Sequence, residues 1–232
     1  MAKRVVTMLM AVIMLCSMYY LARRAAVYTM TNRTGREKSI VVIDAGHGGI
    51  DPGKIGINQA KEKDINLQIA LRVRTLLEQN DIEVVMTRER DEGLYEEGAS
   101  NKKVQDMKRR IERIAKAAAP LTVSIHQNSY SDERIHGAQV FYYTSSTEGK
   151  AAALLMQQQL AEGLDPDNRR QAKANDSYYL LKKSPTPAII VECGFLSNYE
   201  EAQKLTQEKY QEQVAFQITL GILRYLSAQS QK

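Results

Sequence analysis

Ser39-Ile-Val-Val-Ile-Asp-Ala-Gly-His-Gly-Gly49 decides how the chain is read: an apolar, β-branched run ends in a histidine held between glycines. The run is continuous rather than alternating, so residues 40–43 are expected as a strand buried on both faces, the kind found in parallel sheets. Gly46, Gly48 and Gly49 tolerate backbone angles and close approaches that side-chained residues resist, which leaves His47 open to a ligand. In open α/β sheets ligands bind beyond the carboxyl ends of the strands, where this histidine is expected. A phosphate cradle is excluded by spacing. The glycines match neither the dinucleotide fingerprint nor a P-loop, and no Gly-Lys-Ser/Thr follows.

Residues 50–60 are rich in Gly, Pro, Asn and Asp and read as an irregular excursion. At Lys61-Glu-Lys-Asp64 the pattern turns helical, with Asp64 as the expected cap and Ile65, Leu67, Ile69, Leu71, Val73, Leu76 and Leu77 at largely helical spacing. Glu62 is thus expected on the loop before that helix, able to turn back toward His47. A strand over 82–87, a charged loop over 88–101 and a helix over 102–119 stopped by Pro120 follow. Leu121-Thr-Val-Ser-Ile-His126 then repeats the opening theme, an apolar strand ending in a histidine. A lone histidine near glycines is most often structural. Two at equivalent ends of separate strands, in a chain with only 3 histidines, form a pattern. His136, before Gly137 in an expected turn, reads as an ordinary surface residue.

Further along, a strand is expected over 138–143, a helix over 147–163 closed by glycine, a polar loop over 164–177 and a short strand over 178–181. Ala188-Ile-Ile-Val-Glu192 is a strand ending in a carboxylate, and helices over 200–205 and 210–226 close the chain. Strands alternating with helices imply an α/β fold: a single domain over residues 39–228 with a mostly parallel central sheet flanked by helices.

The 232 residues, 44% of them hydrophobic, suit one packed domain and an appendage. The pI near 9.1 invites a nucleic-acid reading until the charges are located. Residues 1–38 hold seven Lys/Arg against one Glu, and the rest of the chain has a net charge of −1. The body of the protein is therefore near neutral and shows no basic stripe interleaved with aromatics, which excludes nucleic acid as the expected partner. The basic segment brackets an apolar run over residues 5–22, long for the core of a signal peptide and at the short end of what spans a bilayer. Residues 1–26 are expected as a membrane anchor, or else a cleaved signal sequence, with 27–38 a polar linker. The domain is then exported. Of the two cysteines, Cys16 lies in the anchor and Cys193 in the domain, so no disulfide within the domain is available to stabilise it.

His47, Glu62, His126 and Glu192 converge on one edge of the expected sheet. Two imidazoles and one carboxylate make the ligand set of a catalytic zinc with an open fourth position, and a second carboxylate off the metal supplies a general base. Six stretches then point to a family: Ile43-Asp-Ala-Gly-His-Gly-Gly49, Glu62 before Asp64-Ile-Asn66, Met86-Thr-Arg88, Ser124-Ile-His-Gln-Asn-Ser129, Gly137-Ala-Gln-Val-Phe141 and Val191-Glu-Cys-Gly-Phe-Leu-Ser-Asn198. In order and in kind they resemble the zinc-dependent N-acetylmuramoyl-L-alanine amidases of bacterial cell-wall turnover, over about residues 40–226. The resemblance implies zinc (Zn2+) on His47, Glu62 and His126, Glu192 as catalytic acid/base, and hydrolysis of the amide between the lactyl group of muramic acid and L-alanine in peptidoglycan.

The amino-terminal hydrophobic segment, the bare catalytic domain, Asn101-Lys-Lys-Val-Gln-Asp-Met107 and the Gly-Ile-Leu-Arg-Tyr-Leu226 end are similar to the sporulation branch of that family. That branch implies peptide removal from spore-cortex peptidoglycan before muramic δ-lactam forms. A vegetative cell-wall amidase is the alternative within the family. Two other classes stand beside it. A thiol hydrolase would use Cys193, but Cys193 adjoins Glu192 and neighbours in a strand face opposite sides. A non-catalytic glycan binder would not need all four site residues and would be expected to show Trp, of which there is none.

Overall fold

The computed structural model describes residues 2–34 and 39–230. They form two units, each taken by itself: an amino-terminal helix and a compact unit beginning at Ser39. The helix, α1 (Ala2–Thr34), contains the apolar stretch Val6–Arg24, 19 residues of mean hydropathy 1.6 with none of it buried. At 1.5 Å per residue this stretch covers about 28 Å, close to the thickness of a bilayer's hydrocarbon core. Residues 27–34, expected as linker, continue the helix, since no Gly or Pro interrupts the sequence before Gly35. Residues 35–38 of that linker lie outside the described residues.

The compact unit runs β1 (Ile40–Ala45), α2 (Glu62–Glu78), β2 (Glu83–Met86), α3 (Lys102–Ala117), β3 (Thr122–Asn128), β4 (Gln139–Tyr142), α4 (Thr147–Leu164), β5 (Lys173–Ala174), α5 (Tyr179–Lys183), β6 (Ala188–Phe195), α6 (Tyr199–Leu205) and α7 (Glu208–Gln229). Its strands form one sheet in the order β2-β1-β3-β6-β4-β5. β2, β1, β3 and β6 are parallel, and β4 runs antiparallel to β6 with β5 alongside it, so the sheet is mostly parallel as expected. The chain leaves β1 for β2 on one side and returns for β3 on the other. That reversal opens a crevice at the carboxyl ends of β1 and β3.

Both faces of β1 are covered, which its unbroken apolar run requires. Val41, Ile43 and Ala45 pack into the larger core with α2, α4 and α7, while Val42 faces the smaller core with Ile114 of α3 and Leu180 and Leu181 of α5. On α2, Ile65, Ile69, Val73 and Leu77 recur every four residues and are buried, each such side chain stabilising the fold by roughly 1.5–3 kcal/mol.

Within the compact unit the structure departs from the sequence reading at several places. Helix α2 begins at Glu62 rather than after it, with Lys61 at the cap position and Asp64 inside the first turn. Residues 179–183 form helix α5 instead of a strand, because Asn175 Oδ1 accepts the backbone N–H groups of Ser177 and Tyr178 and turns the chain into a helix. The expected loop 164–177 contributes the two-residue β5, and α4 runs through Gly163 to Leu164. Strands β3 and β6 both continue past their site residues, pairing as far as Asn128 and Phe195, with a register irregularity between His126 and Asn128.

One position on β1 is not apolar. Asp44, opposite Ser124 in the register, faces α3 and accepts hydrogen bonds from Thr87 Oγ1 (2.6 Å), Ser124 Oγ and Arg110 Nη1 (2.6 Å). Burial alone would raise the Asp44 carboxyl, but the Arg110 guanidinium with the two hydroxyls outweighs it and holds the pKa at about 2. Because the folded value lies below the unfolded one, this contribution of about 2 kcal/mol is complete above about pH 4 and is lost as pH falls toward 2. Asp44→Asn leaves the buried Arg110 with Asp106 as its remaining carboxylate partner and is expected to lower unfolding free energy at pH 7 by about 2 kcal/mol. Denaturant titrations of both proteins at neutral and acid pH check it: the gap should narrow below pH 4, and a gap independent of pH would remove the ion pair as its cause.

Candidate active site

His47 sits two residues beyond β1 with φ 61°, a left-handed conformation that side-chained residues adopt only where their surroundings hold them. Two buried arginines do the holding. Arg88 donates from Nε to Ala45 O (2.9 Å) and from Nη2 to Gly46 O (3.0 Å) and Lys63 O (2.8 Å). Arg110 donates to Ala45 O and His47 O while its Nε holds Asp106. Three consecutive carbonyls, 45 to 47, are thereby fixed by charged donors. Gly48, at φ 136°, must be glycine because a Cβ there would strike Glu92 O and the Arg88 side chain.

Glu62, 2% exposed at the first turn of α2, lies at the centre of the group. Its Oε1 is 2.9 Å from His126 Nδ1 and 3.2 Å from His47 Nε2, and it accepts the Gln127 N–H (3.1 Å) and Asn66 Nδ2 (3.3 Å). Oε2 accepts the Lys54 N–H (2.8 Å). Burial would raise this carboxyl, but the bonds and charges of His126 and His47 prevail and hold it well below the usual carboxylate range. The two imidazole rings meet edge to face, 5.0 Å between centroids.

His47, Glu62 and His126 each offer one ligand atom, all within 4.8 Å of one another. The chemistry of this donor set fits a divalent metal. Asp51 Oδ2 lies 2.9 Å from His47 Nδ1 and can accept its N–H, and in that tautomer the Nε2 lone pair faces an anionic oxygen. Two electron-rich atoms 3.2 Å apart need a cation between them, and a metal ion answers that need as a proton does.

Glu192 is the register neighbour of His126 on β6 and is buried. Its Oε1 accepts the Tyr178 hydroxyl (3.4 Å), and its Oε2 has no hydrogen-bond partner among the described residues. Burial, opposed by His126 and reinforced by the charge of Glu62, pushes its carboxyl up to about 7. Tyr178 is itself pushed up to about 12 by burial and by Glu192. All four residues expected at the sheet edge are therefore together. Cys193 points the other way into the core, where burial pushes its thiol up and removes it as a nucleophile. His136 is exposed and lies 3.8 Å from Asp165, outside this group.

Sequence reading assigns no role to Asp51, Tyr178, Asn66 or Arg110. Asn66 had a usable signal, four residues beyond Glu62 on one helix face. Tyr178 had none, since its partner comes from a different element.

The sequence profile described as N-acetylmuramoyl-L-alanine amidase matches residues 41–224, a span that contains all four residues. The chain belongs to this amidase family. The germination-specific N-acetylmuramoyl-L-alanine amidase of Bacillus subtilis is 39% identical over 191 residues, 81% of this chain and 80% of that protein. The amidase LytC of the same organism is 33% identical over 187 residues, 80% of this chain but 35% of its own length. Among solved structures, the CwlD amidase from Clostridioides difficile in complex with the GerS lipoprotein superposes with a TM-score of 0.80 at 40% identity, covering 82% of this chain and 100% of that one. The protein is thus an enzyme, a peptidoglycan amidase with an α/β catalytic fold.

For an amidase of this architecture the glycines beside the site are steric requirements. A Cβ at Gly46 would fall within the His126 ring, and Gly46 has no left-handed φ that alanine would resist. Gly46→Ala is therefore expected to fold normally, displace the His126 ring and reduce muropeptide hydrolysis by about a hundredfold. Hydrolysis rates beside thermal melts check it, and full activity in a folded variant would contradict the packing described.

Proposed function

We propose that this chain is a zinc-dependent amidase of spore-cortex peptidoglycan, with residues 39–228 as its catalytic domain. The convergence of His47 Nε2, the Glu62 carboxylate and His126 Nδ1 beside a buried Glu192 carries the reading. His47, Glu62 and His126 hold the metal. When bound, zinc would supply a Lewis acid that lowers the pKa of a coordinated water to about 7.

The remaining work belongs to the chain. Asp51 keeps the His47 proton on Nδ1 and so keeps Nε2 available. Glu192, whose carboxyl burial pushes up, is suited to take a proton and give it back. Its unpartnered Oε2 accepts a proton from the attacking water as the new C–O bond forms at the lactyl carbonyl, while Tyr178 steadies Oε1. The protonated carboxyl then donates to the departing alanine nitrogen as the C–N bond breaks. The products are a free lactyl carboxylate and a peptide with a free amino terminus.

The spore assignment is supported by identity, 39% to the germination-specific relative against 33% to LytC. In that setting the enzyme clears muramic acid of peptide before δ-lactam forms. The apolar Val6–Arg24 helix supports a membrane-held enzyme on the exported side, in the space between the forespore membranes. The CwlD amidase, matched along its whole length, is seen with a lipoprotein, which supports a protein partner of that kind here.

Glu192→Gln keeps size and loses basicity. It is expected to retain zinc while turnover falls by roughly 10²–10⁴, whereas His47→Ala and His126→Ala should lose zinc and activity together. Metal content and peptide release measured on the same samples decide the roles: loss of zinc from Glu192→Gln, or full zinc in an inactive His47→Ala, would reassign them. The full chain should sediment with membranes and need detergent for release, and a chain starting at Ser39 should be soluble and active. Recovery of a native chain beginning near residue 26 would establish a cleaved signal sequence instead.

A further inference from the structure

A cavity of about 290 Å³ opens directly against His47 and His126. Much of its wall is apolar or aromatic, including Ile50, Tyr95, Met107, Tyr179 and Leu180. Its charged groups are nearly all committed to one another. Asp44 and Asp106 both hold Arg110, which also binds backbone carbonyls, and the two imidazoles face Glu62. The exception is Lys103.

The start of α3 explains how Lys103 comes to be there. Asn101 Oδ1 accepts the Val104 N–H (3.1 Å) and caps the helix, and Asp106 accepts the Leu94 N–H (2.6 Å) and anchors its first turns beneath the cavity. Lys102 lies over the Tyr95 ring at 5.2 Å, and the next side chain, Lys103, lines the cavity. The ammonium of Lys103 has one ion pair among the described residues, to Asp51 Oδ2 at 3.2 Å. That same oxygen already accepts the His47 Nδ1–H at 2.9 Å, so Lys103 shares an acceptor that is committed elsewhere. Its side chain is 70% exposed and keeps N–H donors for a further anion.

The substrate supplies one. In muramyl peptides the residue after L-alanine is a glutamate linked through its side chain, and its α-carboxyl is either free or amidated. With the scissile amide held at His47 and His126, this group lies one residue away on the leaving side.

We propose that Lys103 is a specificity residue: its ammonium binds the free α-carboxylate of the glutamate that follows L-alanine, so the enzyme prefers acidic stem peptides over amidated ones. The proposal rests on the amidase reading of the same cleft. A charge-assisted bond of this kind amounts to about a tenfold preference, in KM more than in kcat, since the carboxylate is not altered in the reaction.

The test compares N-acetylmuramoyl-L-alanyl-D-glutamate with its D-isoglutamine counterpart, each capped as the γ-methylamide so that the α-group is the sole difference and no other carboxylate is present, using the zinc-loaded full chain in detergent. The wild type should favour the acid by about tenfold in kcat/KM, Lys103→Arg should keep the preference, Lys103→Met should bring the ratio to about one and Lys103→Glu should invert it. The ratio is the readout because a change in Asp51 or His47 alters both substrates alike. A wild type that hydrolyses both substrates equally, or a Lys103→Met protein that slows while keeping the wild-type ratio, overturns the proposal and leaves the amidase reading standing. Hydrolysis of neither substrate by the wild type overturns both.

Discussion

The carboxylate of Glu62 is the point on which the site depends. An anion buried at the first turn of α2 would be untenable alone, and here it collects two imidazoles, two backbone N–H groups and an amide. Those partners come from three separate parts of the chain, so satisfying one charge draws the β1 loop, α2 and β3 into a single arrangement. Without that charge the two histidines would have no reason to face a common point. The glycines fit the same logic: Gly46 and Gly53 leave the volume that His126, His47 and Glu62 occupy.

Glu192 shows how environment divides labour between like groups. It is as buried as Glu62 and stands beside the same histidine, yet it receives only the Tyr178 hydroxyl, at 3.4 Å. Its carboxyl is accordingly pushed up to about 7 while that of Glu62 is pushed down. One carboxylate is locked in its charged form and serves as a fixed anchor. The other is balanced between two forms and can carry a proton.

Much of this was legible in the sequence, for identifiable reasons. The β1 run had to be a doubly covered strand because every residue from Ile40 to Ile43 is apolar, and the two strand-borne histidines marked the edge. Glu62 was placed on a loop because nothing in Lys61-Glu-Lys-Asp64 reveals that a helix starts with its charge turned inward. Strands β3 and β6 were cut short because Gln127-Asn128 and Cys193-Gly194 lack the apolar pattern of the residues before them. They pair onward regardless, as backbone hydrogen bonding does not require apolar side chains. The arginine clamp was hidden for a related reason. Arg88 and Arg110 look like solvated charges until the carbonyls of residues 45 to 47 are seen to be their partners.

The dispersal of the site along the chain also governs when activity can appear. The β1 loop stands near the start of the catalytic unit and β6 near its end, and the two meet only through β3, laid down between them in the sheet. A chain with its last strand undocked presents isolated histidines and carboxylates rather than an assembled set. Long-range pairings of this kind form late in folding. A hydrolase able to cut the polymer that holds a cell together therefore stays inert until its whole sheet is built.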